Sequence, residues 1–179
     1  MNIPISARVA SLGGSVIAVK DNDPTLSFGN PSLLNKEMNS ILTFSYLNYF
    51  SNINHGFFSY VKDFDKIGTF SLGMRYLDYG DFTEADETGT EIGSFSVAEY
   101  AFVLGWAKQI DSVFSVGANL KPIYSKLYLY NSVGVAVDLS ATYYNANREF
   151  TASFILKNVG TQLTTYVDGG EREPIPFEI

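Results

Sequence analysis

The chain has 179 residues, 46% hydrophobic, 15% aromatic and only 17% charged, which is enough for one domain with a sizeable core. A net charge of −7 without any run of Lys or Arg argues against nucleic acid as a partner, and zero cysteines exclude disulfides and thiolate metal sites. No stretch approaches the roughly 18 apolar residues of a spanning helix, and residues 1–14 lack the basic start and apolar run of a signal peptide.

Residues 1–39 differ in texture from the rest. Ser11-Leu-Gly-Gly and Asp21-Asn-Asp-Pro are turn-rich, with short apolar pieces between them. Asn30-Pro-Ser-Leu-Leu has the form of an N-cap followed by Pro at the first position of a short helical turn. From residue 40 onward the pattern predicts strands at 40–50, 55–62, 66–79, 95–108, 113–124, 132–145 and 149–158, an antiparallel meander. Twelve Tyr and 14 Phe favour such strands.

Side chains alternate faces along a strand. In 66–79, Phe70, Leu72, Met74 and Tyr76 oppose Thr69, Ser71, Gly73 and Arg75. In 95–108, Tyr100, Phe102, Leu104 and Trp106 oppose Glu99, Ala101, Val103 and Gly105. The same split recurs at 42–46, 114–121, 133–140 and 150–157, with Ile155 a bulky exception on the small face. His55 to Lys62 is ambiguous, because Phe57 and Phe58 fall on opposite faces.

A soluble sheet puts bulk inside and many charges outside. Here the face opposite the bulk carries mostly Gly, Ala, Ser, Thr and Asn, with a sparse set of both signs: Arg75, Glu99, Lys121, Asp138 and Lys157. Small and paired groups suit the lumen of a membrane barrel, and the bulky face suits lipid. The expected fold is therefore an all-β, antiparallel meander transmembrane β-barrel, with 1–39 as an N-terminal plug and 40–179 as wall. A soluble β-sandwich is the competing architecture.

Connections support the barrel. Those at 63–65, 109–112 and 145–148 are short, while 80–94, 125–131 and 159–174 read as long polar loops at one end, as in outer-membrane barrels. The short connection at 51–54 is the exception. Tyr49, Tyr79, Tyr100, Trp106, Tyr124 and Tyr143 near strand ends suggest interfacial girdles. Seven strands leave an odd count, and Glu173-Pro-Ile-Pro-Phe-Glu-Ile reads as the start of an eighth, so the expectation is the first half of a larger barrel.

Ile3-Pro-Ile-Ser-Ala-Arg-Val-Ala-Ser-Leu-Gly-Gly and Asp21-Asn-Asp-Pro-Thr-Leu-Ser-Phe-Gly-Asn-Pro-Ser-Leu-Leu resemble the plug segment of FadL-like outer-membrane proteins. More narrowly, they resemble the PorQ-like proteins of the type IX secretion system, relatives of PorV. Tyr79-Gly-Asp-Phe, Glu91-Ile-Gly-Ser-Phe, Leu156-Lys-Asn-Val-Gly-Thr-Gln-Leu and Arg172-Glu-Pro-Ile-Pro-Phe extend the likeness in the same order. The resemblance implies a barrel of about 14 strands in the bacterial outer membrane. It also implies a non-enzymatic anchor for a surface protein similar to PorZ, in an attachment complex with PorU and PorV whose chemistry PorU performs. A FadL-type channel for hydrophobic small molecules is the alternative.

No other chemistry stands out. His55 is the only histidine and lacks a positioned partner in sequence, so no catalytic residue is assigned. The acidic stretch Asp78 to Glu91 could offer oxygen ligands to Ca²⁺ but lacks EF-hand spacing, so it reads as a solvated loop. Gly13-Gly14 lacks the Lys of a phosphate loop. No cofactor or metal is expected. Arg75 with Glu99, and Lys121 with Asp138, are placed to pair inside the lumen. Partner docking falls to Asp81, Glu84, Asp86, Glu87, Glu91, Tyr128, Tyr130 and Tyr166 on the long-loop end.

Overall fold

The computed structural model describes residues 4–49, 53–167 and 170–179. The beginning of the plug motif, the last position of the first predicted strand, the first half of the 51–54 connection and positions 168–169 of the 159–174 loop lie outside these residues. Short turns of helix come first: α1 (Ala7–Ser11), α2 (Leu26–Gly29), and 3₁₀ turns at Pro31–Leu33 and Lys36–Met38. Ser6 caps α1, its Oγ accepting the Val9 N–H at 3.2 Å. The Asn30 side chain accepts the Ser32 N–H at 3.0 Å, so the predicted cap followed by Pro is present. The α1 helix itself is absent from the sequence reading, since five residues carry too little periodicity to register.

Seven strands follow: β1 (Leu42–Asn48), β2 (Asn54–Phe64), β3 (Gly68–Ala85), β4 (Glu91–Gln109), β5 (Phe114–Leu127), β6 (Tyr130–Asn145) and β7 (Phe150–Thr164). They form one antiparallel meander in sequence order, and this sheet is not closed into a barrel. β1 is shorter than predicted and β2 to β7 run longer, with three consequences. The expected loop at 80–94 is a hairpin whose turn is only 86–90. That at 125–131 shrinks to Tyr128-Leu129 between β5 and β6, and β7 continues to Thr164. Residues 173–179 do not enter the sheet as an eighth strand. They fold back with a single bridge, Lys157 to Glu178, whose backbone N–H of Lys157 donates to the Glu178 carbonyl at 2.8 Å.

Burial follows the expected inversion. On β3 and β4 the small-residue side is covered, with Val103 at 3% and Ala107 at 1% exposure, while Leu72 and Leu104 remain 52% and 49% exposed. The cover is the N-terminal segment. Ile5, Val9, Val16, Leu26 and Leu33 cluster with Phe57 of β2, and Phe28 meets Phe57 edge-on at 4.4 Å. Leu34 and Met38 pack with Val61 and Ala107. The core therefore lies between plug and sheet, on the side that carries the small groups. This settles the faces of β2: Phe57 and Val61 look inward to the plug, and Phe58 and Tyr60 look outward. Glycines on the inner face admit the plug. At Gly117 a Cβ would stand 2.4 Å from the Ser32 nitrogen, and at Gly73 it would stand 2.3 Å from the Phe28 ring.

Candidate lipid interface and plugged inner face

The outer face carries rows of like residues across strands. Tyr46, Gly56, Tyr76, Tyr100 and Tyr124 oppose one another in sequence from β1 to β5. The Tyr76–Tyr100 and Tyr100–Tyr124 ring centroids are 5.0 and 6.2 Å apart. One row towards the hairpin end the outer face becomes polar: Asn48, Asn54, Asp78, Ala98, Lys126 and Asn131 stand opposite one another in the same order. The tyrosine hydroxyls turn to that row. Tyr46 donates to Asn54 Oδ1 at 2.7 Å, Tyr124 to Asn131 Oδ1 at 2.8 Å, and Tyr76 is hydrogen-bonded to Asp78.

Below the tyrosines the outer rows are apolar. Phe44, Phe58, Met74 and Phe102 form one, and Leu42, Tyr60, Leu72, Leu104 and Leu120 the next. Lys62, Phe70 and Trp106 form a third, where charge returns. Leu42, Phe44, Leu72, Phe102 and Leu104 are between 47% and 74% exposed, so these rows form a contiguous apolar surface of the kind that marks an interaction site. Rings with apolar bodies in the band and hydroxyls in a polar row match the chemistry of a membrane–water boundary.

The aromatic residues expected near strand ends fall in different rows. Tyr100 and Tyr124 sit in the upper row and Trp106 in the lower, with Tyr143 opposite Phe114 further down. Tyr79 is hydrogen-bonded to Glu99 beside Arg75 on the inner face, and Tyr76 takes the outer place. Tyr49 follows β1, its N–H bonded to the Ile53 carbonyl at 2.7 Å. Assigning these rows needs inter-strand register, which the sequence alone does not supply.

The predicted lumen charges all lie on the inner side. Asp138 is fully buried, and its Oδ1 meets Lys121 Nζ at 2.5 Å and accepts the Asn158 N–H at 2.9 Å. Lys121 also reaches Asn158 Oδ1 at 2.5 Å, and Asn119 Nδ2 donates to Asp138 Oδ2 at 3.4 Å. Asn158 sits at φ 59° in a bulge of β7 that turns its amide inward, a conformation Asn tolerates well. Arg75 opposes Ala101 while Glu99 opposes Leu77, so the two stand diagonally and the Glu99 charge acts on Arg75 through space; Arg75 Nε donates to His55 Nε2 at 3.1 Å. His55 is therefore a buried neighbour of Arg75. Lys157 lines an inner cavity of about 480 Å³ with Ile5, Val9, Phe28 and Val103.

A hydroxyl ladder holds the plug and was not legible as a site. Ser115 Oγ donates to the Ser32 carbonyl at 2.8 Å, the Ser32 N–H donates to Ser140 Oγ at 2.9 Å, and the Ser32 and Thr142 hydroxyls meet at 2.7 Å. Asn30 Nδ2 donates to Thr142 Oγ1 at 3.1 Å, and Asn119 Nδ2 to the Ser27 carbonyl at 3.2 Å. The signal lay in regular Ser and Thr on the inner register, which reads as filler until the plug's position is known. At the far end of the plug Arg8 clamps α1 to the Asp21-Asn-Asp turn, bonding Asp21 and, at 3.1 Å, Asp23. The hydrogen bond and charge of Asp21 raise the Arg8 pKa above its ordinary value.

The docking candidates divide. Asp81 and Glu84 lie in β3, Glu91 opens β4, and Asp86 and Glu87 form the turn between them. Asp86 Oδ1 accepts the Thr88 hydroxyl at 2.7 Å and the Thr90 N–H at 2.9 Å, which lowers its pKa. Tyr128 sits in the β5–β6 turn, with its ring 5.3 Å from Phe95 and its hydroxyl 3.4 Å from Glu84 Oε2; Tyr130 begins β6. Tyr166 departs from the group. Its hydroxyl donates to Ser125 Oγ at 2.7 Å, and it lines an inner cavity of about 340 Å³. Among the described residues no group of His, Asp or Glu is arranged to hold a metal ion, and no helix is long and apolar enough to cross a membrane.

The fold and site define a class: a mostly β chain with one seven-stranded antiparallel meander. No protein-family model and no curated protein matches the chain.

Proposed function

We propose that this sheet is the plugged wall of a FadL-like outer-membrane barrel, closed by further strands to about 14, and that it serves as a PorQ-like anchor in type IX secretion. The observation that carries the membrane reading is the inverted burial bounded by the tyrosine and asparagine rows. The plug fills the side a soluble sheet would solvate, and an apolar band with no charge between Tyr76 and Lys62 faces outward.

The anchor reading draws on the β3–β4 hairpin. From Tyr76 the strand continues to Ala85, roughly 30 Å further at ~3.4 Å per residue, and the hairpin it forms with β4 carries exposed Phe82 and Ile92 among carboxylates. Such a platform beyond the boundary suits a surface protein similar to PorZ, with PorU and PorV in the same complex, and requires no catalysis by this chain. The channel reading, transport of hydrophobic small molecules, draws on the apolar residues lining the 480 Å³ cavity.

Both barrel readings expect solubility only in detergent and migration on gels that changes on heating; ready solubility without detergent defeats them. Copurification with a large surface protein, lost when the 80–91 hairpin is shortened, supports the anchor. Loss of fatty-acid uptake on deletion, with no copurifying protein, would replace it with the channel.

A further inference from the structure

The short-turn end of the outer face carries its own constellation, resting on the membrane reading above. Trp106, the single tryptophan of the chain, stands in register with Phe70 and Lys62, and Lys108 follows one row lower on β4. Both β4 side chains reach the β2–β3 turn. Trp106 Nε1–H donates to the Ile67 carbonyl and Lys108 Nζ to the Lys66 carbonyl, each at 3.2 Å. The indole's polar edge is thereby fixed towards the turn, with its ring body in the apolar band.

Along the outer strand rows at this end the charge is positive, from Lys62 and Lys108, with Lys66 in the adjoining turn; exposed Asp65 and Asp111 lie on the turns. Lys62, Lys66 and Lys108 are exposed, and among the described residues none of them forms an ion pair. The acids nearby are placed otherwise. Asp63 points inward and accepts the Thr69 hydroxyl at 2.6 Å, and Asp111 is occupied by the N–H groups of Val113 and Phe114 at 2.8 and 2.7 Å. Asp65 shares the turn with Lys66 without pairing to it. Exposed Phe64 and Ile67 flank the lysines, so the cations rise from an apolar floor.

We infer that Lys62, Lys66 and Lys108 around Trp106 form a seat for the headgroup of an anionic glycerophospholipid in the leaflet at the short-turn end. Charge complementarity selects the partner: unpaired ammonium groups at the foot of an acyl-facing band meet a phosphate whose own tails cover that band. The hairpin end sets Asp78, Asp81, Glu84 and Glu91 against Lys126, a net negative outer charge that disfavours the same headgroup there.

Trp106 makes the test direct. The full chain is reconstituted in phosphatidylcholine vesicles containing a minor fraction of phosphatidylglycerol, with bromine on the acyl chains of one lipid or the other. Brominated phosphatidylglycerol is expected to quench Trp106 in excess of its mole fraction, by about fivefold for each lysine engaged. The K62Q/K66Q/K108Q variant is expected to lose that excess while brominated phosphatidylcholine still quenches it and heat-dependent migration is retained. Free glycerophosphate is expected not to remove the excess, and its removal at low concentration would instead assign a soluble phosphate site. Quenching in proportion to mole fraction, or excess that survives in the variant, overturns the seat and leaves the barrel standing. Absence of quenching by either lipid overturns the membrane reading as well.

Discussion

Replacing Gly117 by Ala tests whether the plug lies where the structure places it. A Cβ built there would stand 2.4 Å from the Ser32 nitrogen, 2.5 Å from the Pro31 carbonyl carbon and 2.8 Å from its oxygen. All three are backbone atoms, so no rotamer relieves them, and the plug must retreat by roughly 1 Å to reach ordinary contact. That movement loosens the bonds of Ser32 to Ser115, Ser140 and Thr142. Overpacking costs ~1–3 kcal/mol, and each weakened hydrogen bond adds up to ~1. Ala in place of a strand Gly returns ~0.5–1 kcal/mol, leaving a net loss of about 0–5 kcal/mol with a midpoint near 2–3. Gly134→Ala is the matched control, because its added carbon meets nothing closer than 3.6 Å. Chemical denaturation of detergent-folded protein reads the stability, and limited proteolysis within residues 4–39 reads plug docking. If Gly117→Ala matches both the control and the parent, the plug does not rest on β5 and the inner-face argument fails.

Asp138→Ala strips the partner from partly buried Lys121 and is expected to cost ~3 kcal/mol, whereas Asp138→Ala with Lys121→Met recovers much of it; a double-mutant cycle on denaturation midpoints measures the difference. Leu104→Arg, in the middle of the outer band, is expected to cost ~2–4 kcal/mol in bilayers. Equal vesicle stability of the variant and parent would contradict a lipid-facing band. Asp86 holds the hairpin turn with its carboxylate, and its lowered pKa gives the sign: turn stability is full above the ordinary carboxylate range and falls as pH drops through the depressed value. The protection factors of the Thr88 and Thr90 amides, exchange measured relative to the intrinsic rate at each pH, should fall on acidification, and Asp86→Asn should remove most of that pH dependence.

Strand identity and facing were largely readable from the period-2 pattern, because Phe70 to Tyr76 and Tyr100 to Trp106 keep bulk on one side throughout the band. Above the tyrosine row the pattern vanishes. Asp81, Thr83 and Glu84 meet water on either face, so alternation carries no hydrophobic contrast, and the strand there resembles a loop. The ambiguity of β2 has the opposite cause. Phe57 meets the plug and Phe58 the exterior, so both of its sides reward bulk. The lumen charges were legible as a set, but their geometry was not. The Lys121–Asp138 contact depends on Asn119 opposing Asp138, and the inward amide of Asn158 depends on a bulge that no composition rule marks.

The meander order has a consequence for how this wall can be sealed. Each neighbour reverses direction, so β1 and β7, at the two margins, point the same way. Bringing those margins together directly would create a parallel seam. Two copies in the same orientation, related by an axis along the strands, would create a pair of such seams. An all-antiparallel enclosure accepts only an odd number of intervening strands, the first running opposite to β7 and the last opposite to β1. Parity alone thus separates self-closure, pairing of copies and completion by added strands, and cross-links from Phe44 or Phe154 at the margins would report which seam forms.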